Sequence, residues 1–347
     1  MKTQLFKVDE KSEEILEKAA QLIREGQLVG FPTETVYGLG ASAYDAKACL
    51  DIFKAKGRPA DNPLIVHIAS PEDAEKIAYT SELYYKLAEK FMPGALTVIM
   101  PKRDIIPGEV TAGLDSVAVR CPINKIANKL ISLADVPIAA PSANRSGKPS
   151  PTKASHVLDD MDGIIPMILD GGDCSVGVES TVIKIDNDKI IILRPGAVTA
   201  DMLREICENV TVSGAVTEEL GEGETPLSPG MKYKHYAPAA QLYLVDDSSI
   251  DFISFANERS KNENCAVMCY DDEIDKLLCE KLLPVGDRLD IDEQIKRLFM
   301  LLRKADDIGA DFVYAHLPSK EGKSLALYNR LIRASAHRII GGTNGKN

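Results

Sequence analysis

The stretch "KAKGRPADNPLIVH" (Lys54 to His67) puts a helix end, a cationic turn and the start of a buried strand side by side. Upstream, Asp45 is placed to cap a helix whose apolar positions Ala48, Cys49, Ile52 and Phe53 share one face, and Gly57 and Pro59 end it. Downstream, "LIVHI" is an apolar run of strand length. A helix delivered into a strand by a tight turn is the repeating unit of an α/β sheet. The turn itself carries Lys54, Lys56 and Arg58 against Asp61 alone, in a chain whose formal net charge is -11.

The same alternation extends in both directions. Residues 12–25 place Ile15, Leu16, Ala19, Leu22 and Ile23 on one helical face, with Ser12 able to cap the start and Gly26 to stop the helix. "LVGF" reads as a short buried strand, and Ser70-Pro71-Glu72-Asp73 as a helix start. Further strands are expected at "ALTVIM", "SVAVRC", "PIAAPS", "STVIKI" and "KIIILRP". Their connections range from the two-residue Asn187-Asp188 turn to whole helices, which predicts a mixed sheet, not a strictly parallel one. After residue 212 the texture becomes rich in Gly, Pro and Glu without apolar period. Beyond it, "LYLV", "AVMCY" and "DFVYAHL" alternate with helices, one carrying Ile295, Leu298, Phe299, Leu302 and Ala305 on one face. The reading is therefore a first domain over 1–212, a linker or lid over 213–239, and a smaller βαβ-type domain over 240–347.

Composition narrows the function. With 347 residues, 45% hydrophobic and 27% charged, the chain reads as a soluble globular protein of two ordinary domains. No apolar run is long enough to span a membrane, and "MKTQLFKVDEKSEE" has no secretory apolar segment, so a cytoplasmic location is expected. The seven cysteines are scattered without a C-x-x-C pair and read as buried free thiols; no resident metal site is expected. Residues 1–212 carry about -6 and residues 240–347 about -3, so neither is a basic nucleic-acid-binding domain.

Six polar clusters lie where strands begin or end, the usual place for ligands in open α/β sheets. They are "FPTETVYGLG" with Thr33, Glu34 and Thr35; the Lys56 and Arg58 turn; Arg120 ending "SVAVRC"; "APSANRSGKPSPT" with Ser142, Asn144 and Ser150; "GVESTVIKI" with Glu179 and Ser180; and "ILRPGAV" with Arg194. Gly38 and Gly40 would allow the backbone to approach a ligand. Each cluster has a plainer explanation: a capped turn, a solvated helix end, or, for Arg120, an internal salt bridge. Taken together they suit an anion-binding cleft with hydroxyl donors and no covalent nucleophile, a constellation for phosphate-ester chemistry by positioning and electrostatics. No P-loop, nucleophile elbow, H-E-x-x-H or dinucleotide fingerprint occurs.

Together with "KAKGRPADNPLIVHI", "PGALTVIM", "LRPGAV" and "SPGMKYKHYAP", these stretches resemble, in order and over almost the whole chain, the long form of the threonylcarbamoyl-AMP synthase family. That resemblance implies an α/β YrdC-like catalytic domain with a mixed twisted sheet, plus a smaller Rossmann-like α/β carboxy-terminal domain. It implies a nucleotidyltransferase that makes L-threonylcarbamoyl-AMP and pyrophosphate from L-threonine, bicarbonate or CO2, and ATP. Mg2+ would arrive on the nucleotide, and the product would go to the machinery that modifies the adenosine beside a tRNA anticodon.

Carried over by motif, Lys56 and Arg58 (the K-x-R pair) are implied to neutralise the triphosphate and the leaving pyrophosphate. Thr35, His67, Arg120 and Ser180 are implied to hold threonine, with Arg120 on its carboxylate. Asn62, Ser142, Asn144, Ser150, Arg194 and Tyr236 are implied at the nucleotide. His67 within "LIVHI" has a core role as its alternative. Lys232, Lys234, His235 and Tyr236 suggest a lid excluding water from a mixed anhydride, with a plain tether as the alternative. A hydrogenase-maturation enzyme using a similar domain is disfavoured by the missing zinc-finger cysteine pairs. An RNA-binding or translation-associated protein, with weak RNA contact through the same cleft, is the reading from a different class. It would call for a basic surface and stacking aromatics, whereas aromatics are 5% and tryptophan is absent.

Overall fold

A computed structural model describes residues 2–217 and 236–341. Within these, the chain divides into two units, one of 2–146 with 150–217, the other of 147–149 with 236–341. The segment expected as a linker or lid over 213–239 is divided between the units, 213–217 in the first and 236–239 in the second, and 218–235 lie outside the described residues.

The first unit is built on one sheet. Its strands are β1 (Gln4–Lys7), β2 (Val29–Phe31), β3 (Gly38–Ser42), β4 (Ile65–His67), β5 (Leu96–Pro101), β6 (Ser116–Arg120), β7 (Ile138–Ala139), β8 (Met167–Asp170), β9 (Thr181–Asp186), β10 (Lys189–Arg194) and β11 (Val210–Val212). Their spatial order is β1-β8-β2-β3-β7-β4-β6-β5-β9-β10-β11. Parallel pairs such as β4 with β6 and β5 with β9 sit beside antiparallel ones such as β5 with β6 and β9 with β10, so the sheet is mixed as expected.

Side-chain alternation sends each strand's residues to two different surroundings. On one face Leu39, Val66, Val98, Val119 and Ile183 join a large core with the helices Ala46–Lys56 and Glu82–Phe91. On the other face, Val29, Phe31, Ile138 and Met167 pack under the helices Glu13–Arg24 and Lys125–Ala134. Along β4, β5, β6, β9 and β10 that second face is different. Ile65, Ile99, Ala118, Val182 and Leu193 form a small apolar cluster made only of strand residues. This floor, flanked by the polar ends of the same strands, is where the first unit's functional groups gather.

The helix leading into this region forms for local reasons. Asp45 Oδ1 accepts the Ala48 N–H at 3.0 Å. At the other end Gly57 turns left-handed at φ +63°, and the N–H groups of Gly57 and Arg58 return to the carbonyls of Lys54 (3.1 Å) and Phe53 (2.9 Å). That closure is a Schellman motif, and it needs a residue without Cβ strain. Two sequence expectations fail locally. Ser12 does not cap its helix, because its hydroxyl is taken by Asp9, 2.8 Å away. Ser70–Asp73 opens only the short 3-10 segment Pro71–Lys76, whose Asp73 carboxylate accepts the Ser70 N–H.

The second unit holds a smaller sheet of β12 (Gln241–Val245), β13 (Cys265–Tyr270), β14 (Leu282–Gly286), β15 (Phe312–His316) and β16 (Ile339–Ile340), in the order β14-β13-β15-β12-β16. Every pairing is parallel, with the helices Phe252–Ser260, Ile291–Asp307 and Ser324–Ala334 as connections. Six of the seven free cysteines are buried, Cys207 being partly exposed. Among the described residues no helix is long and apolar enough to cross a membrane.

Candidate active site

Four groups of side chains surround the apolar floor of the first unit. The first joins the cationic turn to the serine-rich loop. Lys56 is buried, and its Nζ donates to the carbonyl oxygens of Ser142 and Asn144, the latter at 2.7 Å, and to Asn144 Oδ1 at 3.3 Å. Ser142 Oγ donates to the same Oδ1 at 2.6 Å. The K-x-R and S-x-N patterns, far apart in the chain, are thus one structure in which the lysine ammonium shapes the loop. Arg58, also buried, takes a different direction. Its Nη2 donates to the Asn62 carbonyl at 3.0 Å, and its guanidinium lies 5.5 Å from the Phe53 ring centroid. Asn62 is wholly buried, and neither atom of its side-chain amide has a hydrogen-bond partner among the described residues. Such an amide is costly unless a ligand satisfies it.

The second group follows β2. Thr33 Oγ1 donates to the Val36 carbonyl at 2.6 Å and accepts from the N–H groups of Thr35 and Val36, while the Thr35 hydroxyl donates to it at 2.8 Å. The loop before β9 pins this turn from outside, through Val176 N–H to the Glu34 carbonyl and Gly177 N–H to the Thr35 carbonyl. Glu34 Oε1 accepts from Arg120 Nη2 at 2.6 Å with both side chains buried. Of the two readings of Arg120, the internal salt bridge is present. Its Nε donates to the Gly94 carbonyl at 3.3 Å, and Nη1 takes part in neither bond.

His67 stands next to Arg120 in register across β4 and β6. Burial first, and the Arg120 charge second, push its pKa down to about 3, against the upward pull of carbonyl bonds to Ile138 and Ile65. The lowered pKa keeps the imidazole neutral near pH 7, and the Ile65 carbonyl 3.2 Å from Nδ1 can only accept a hydrogen bond. The Phe31 ring meets it edge-on. Phe31 also explains the two glycines of β3. A Cβ on Gly40 would lie 2.8 Å from the Phe31 ring, and one on Gly38 3.0 Å from it. They make room for a core aromatic ring, a packing reason that stands beside the expectation of close approach to a ligand.

The last group lies on β5, β9 and β10. Thr97 and Ser180 share a hydrogen bond of 2.7 Å between their hydroxyls, and Arg194 reaches the Ser180 carbonyl (3.1 Å) and hydroxyl (3.2 Å). Ser150 donates to Glu179 Oε1. Gly196 permits this meeting, since a Cβ there would sit 2.5 Å from the Thr181 nitrogen. Tyr236 belongs to the second unit, at φ +65° with its ring on Phe299 and Arg330 nearby. The companions expected with it in a lid, Lys232, Lys234 and His235, lie outside the described residues. Sequence reasoning gave Thr97 no part. A polar threonine inside "ALTVIM", in phase with Ile99 of the floor, was the available signal.

A family model described as "Telomere recombination" matches residues 21–196, and one described as "Threonylcarbamoyl-AMP synthase, C-terminal domain" matches 198–336. The threonylcarbamoyl-AMP synthase of Pyrococcus abyssi is 44% identical over 331 residues, 93% of this chain and 94% of its own. The chain belongs to the threonylcarbamoyl-AMP synthase family. Another member, the threonylcarbamoyl-AMP synthase of Bacillus subtilis, is 41% identical over 93% of both chains. Among solved structures, P. abyssi Sua5 complexed with L-threonine superimposes with a TM-score of 0.86 at 42% identity, covering 97% of this chain and 98% of that one. The second family model begins at residue 198, inside the first unit, so the family-model boundary and the division of the fold differ.

Proposed function

We infer that this chain is a threonylcarbamoyl-AMP synthase, a nucleotidyltransferase that converts L-threonine, bicarbonate or CO2, and ATP into L-threonylcarbamoyl-AMP and pyrophosphate. The observation that carries the reading is the bonding of Lys56 to the Ser142–Asn144 loop, in a chain of which 93% aligns with a member of the family. ATP enters as its magnesium complex. The ion is carried largely by the phosphates.

Threonine sits against Thr35, His67, Arg120 and Ser180, its methyl group over the apolar floor. His67 contributes as a neutral hydrogen-bonding ring, since burial beside Arg120 keeps it uncharged. The nucleotide takes Asn62, Ser142, Asn144, Ser150 and Arg194, and the unsatisfied amide of Asn62 suits a base or ribose edge. The threonine carbamate oxygen attacks the α-phosphorus and pyrophosphate departs. Lys56 and Arg58 set a positive field where that leaving charge develops, which is where preorganised cations lower a barrier most. The product passes to cytoplasmic machinery that transfers the threonylcarbamoyl group to tRNA.

The test is pyrophosphate release from ATP by the purified chain, with and without L-threonine and bicarbonate, alongside Lys56→Ala. Release that needs both additions and falls at least 100-fold in the variant is expected. Absence of threonine-dependent release from folded protein would overturn the reading and bring forward RNA binding by the same cleft, measured with labelled RNA.

A further inference from the structure

We propose that Glu34 is the substrate-selecting residue of the amino-acid pocket: its second carboxylate oxygen receives the α-nitrogen of the amino acid while Arg120, beside it, receives the α-carboxylate. The proposal rests on the adenylation reading above and adds a residue to it.

Glu34 is distinguished from the other carboxylates around the floor by what it leaves undone. Glu179 is engaged by Ser150. Glu34 spends Oε1 on Arg120, but Oε2 is buried and has no hydrogen-bond partner among the described residues. A half-satisfied carboxylate in a buried position is unfavourable, and it persists only where the surroundings hold it. Here they do. The Glu34 carbonyl accepts from Val176 N–H at 2.8 Å and from the Ser175 hydroxyl at 3.4 Å, and the Thr33 turn fixes the residues on either side. These bonds fix the backbone from which the side chain projects, and the Arg120 bond holds its Oε1.

The pair therefore leaves over an acceptor (Glu34 Oε2) and a donor nitrogen (Arg120 Nη1) that neither of the described Arg120 bonds uses. An α-amino acid carries the complementary groups on a single carbon, a nitrogen that donates and a carboxylate that accepts. A carboxylic acid with no donor on its α-carbon satisfies Arg120 and leaves the glutamate oxygen buried and unpaired, so the pair selects against acids lacking the amine. Carboxylation joins the neutral α-amine to CO2 and releases one proton to solvent, which leaves one N–H in place, so the contact with Glu34 survives into the carbamate. The bond thus orients the nitrogen through the step without releasing it.

The experiment measures binding of L-threonine and of 3-hydroxybutyrate, its analogue lacking the amine, to the full chain in the presence of a non-hydrolysable ATP analogue. Wild type is expected to prefer threonine by at least tenfold, and Glu34→Gln to narrow that preference to within about threefold while still binding the nucleotide. A purely structural Glu34 would weaken both acids alike and leave their ratio unchanged, and that result overturns the proposal. Equal binding of the two acids by wild type overturns it as well, without needing any variant. If wild type binds no threonine at all, the adenylation reading fails and this one with it. Should Glu34→Gln not fold, Glu34→Asp retracts the carboxylate while keeping its charge, and the same ratio decides.

Discussion

His67 and His316 are both almost wholly buried at the carboxyl ends of parallel-paired strands, one in each unit, and they are driven in opposite directions. Burial and the neighbouring Arg120 push His67 down to about 3. Burial also pulls His316 down, but its bonds to Asp247 (2.6 Å, at Nδ1) and Glu273 (2.8 Å, at Nε2) outweigh that pull and raise it. The His316 ring is stacked 3.6 Å from Phe252, and Glu273 is further tied to Arg288 at 2.6 Å. The difference teaches that strand-end geometry is shared by the two sheets while the charge placed there is not. The first unit surrounds its strand ends with cations and a neutral imidazole, as an anion-binding face requires. The second unit closes a saturated ion network, in which every histidine nitrogen already has a partner and little is left for a ligand.

The largest expected consequence is acid sensitivity of the first unit. Because the folded pKa of His67 lies below the ordinary 6.5, the unfolded chain binds an extra proton as pH falls. Stability is full above pH 6.5 and declines toward pH 3 by about 1.4 kcal/mol per pH unit, reaching about 4 kcal/mol. Hydrogen exchange read separately for residues of each unit, between pH 7 and 3.5, measures this. His67→Asn should remove that share of the slope from the first unit only. Equal slopes in the variant and wild type would break the comparison at its root.

A second test cuts the network of the other unit. Glu273→Gln leaves His316 and Arg288 short of an anion in a buried setting, at a cost of about 3 kcal/mol. The sign of its pH dependence is opposite to that of His67. A raised folded pKa gives stability that is present below 6.5 and lost as pH rises through the folded value. With one carboxylate gone, that alkaline loss should begin closer to pH 6.5. Urea unfolding at pH 6 and pH 8, followed by the exchange of residues in the second unit, would show it. A variant as stable as wild type would mean that the network is not what fixes these strand ends.

Much of this was legible in the sequence because it depends on local chemistry. The capped helix at Asp45, the Gly57 stop and the strand at "LIVHI" all stand where the apolar periods and turn residues put them. The mixed character of the first sheet followed from unequal connection lengths. What escaped was short or exposed structure. β1 is an edge strand with mostly exposed residues, β8 is a four-residue run, and β3 hides behind the two glycines of "GLGAS". In the site, residue identities were visible but their partners were not. Nothing local to Lys56 says that its ammonium ends on the carbonyls of Ser142 and Asn144, and nothing local to Arg120 says that Glu34 is its anion. Those are long-range contacts set by strand order, which a linear pattern does not contain.

Gly40 gives the smallest and sharpest test, because here the sequence suggested one cause and the structure supplies another. An added Cβ would meet the Phe31 ring and Ile138 Cγ2, each at 2.8 Å, and Phe31 meets His67 edge-on with the ring centroids 6.1 Å apart. Gly40→Ala must therefore displace the ring toward its neighbours, an overpacking change that costs about 2 kcal/mol. The first unit should lose that stability in urea unfolding, while the alkaline profile of the second unit stays as in wild type. The loss should appear without ATP as well as with it, since the cause is packing in the empty protein. A variant of undiminished stability whose ATP binding alone had weakened would give the glycine back to the ligand. It would also separate His67 from the aromatic ring that, on the present geometry, helps to keep it dry and neutral.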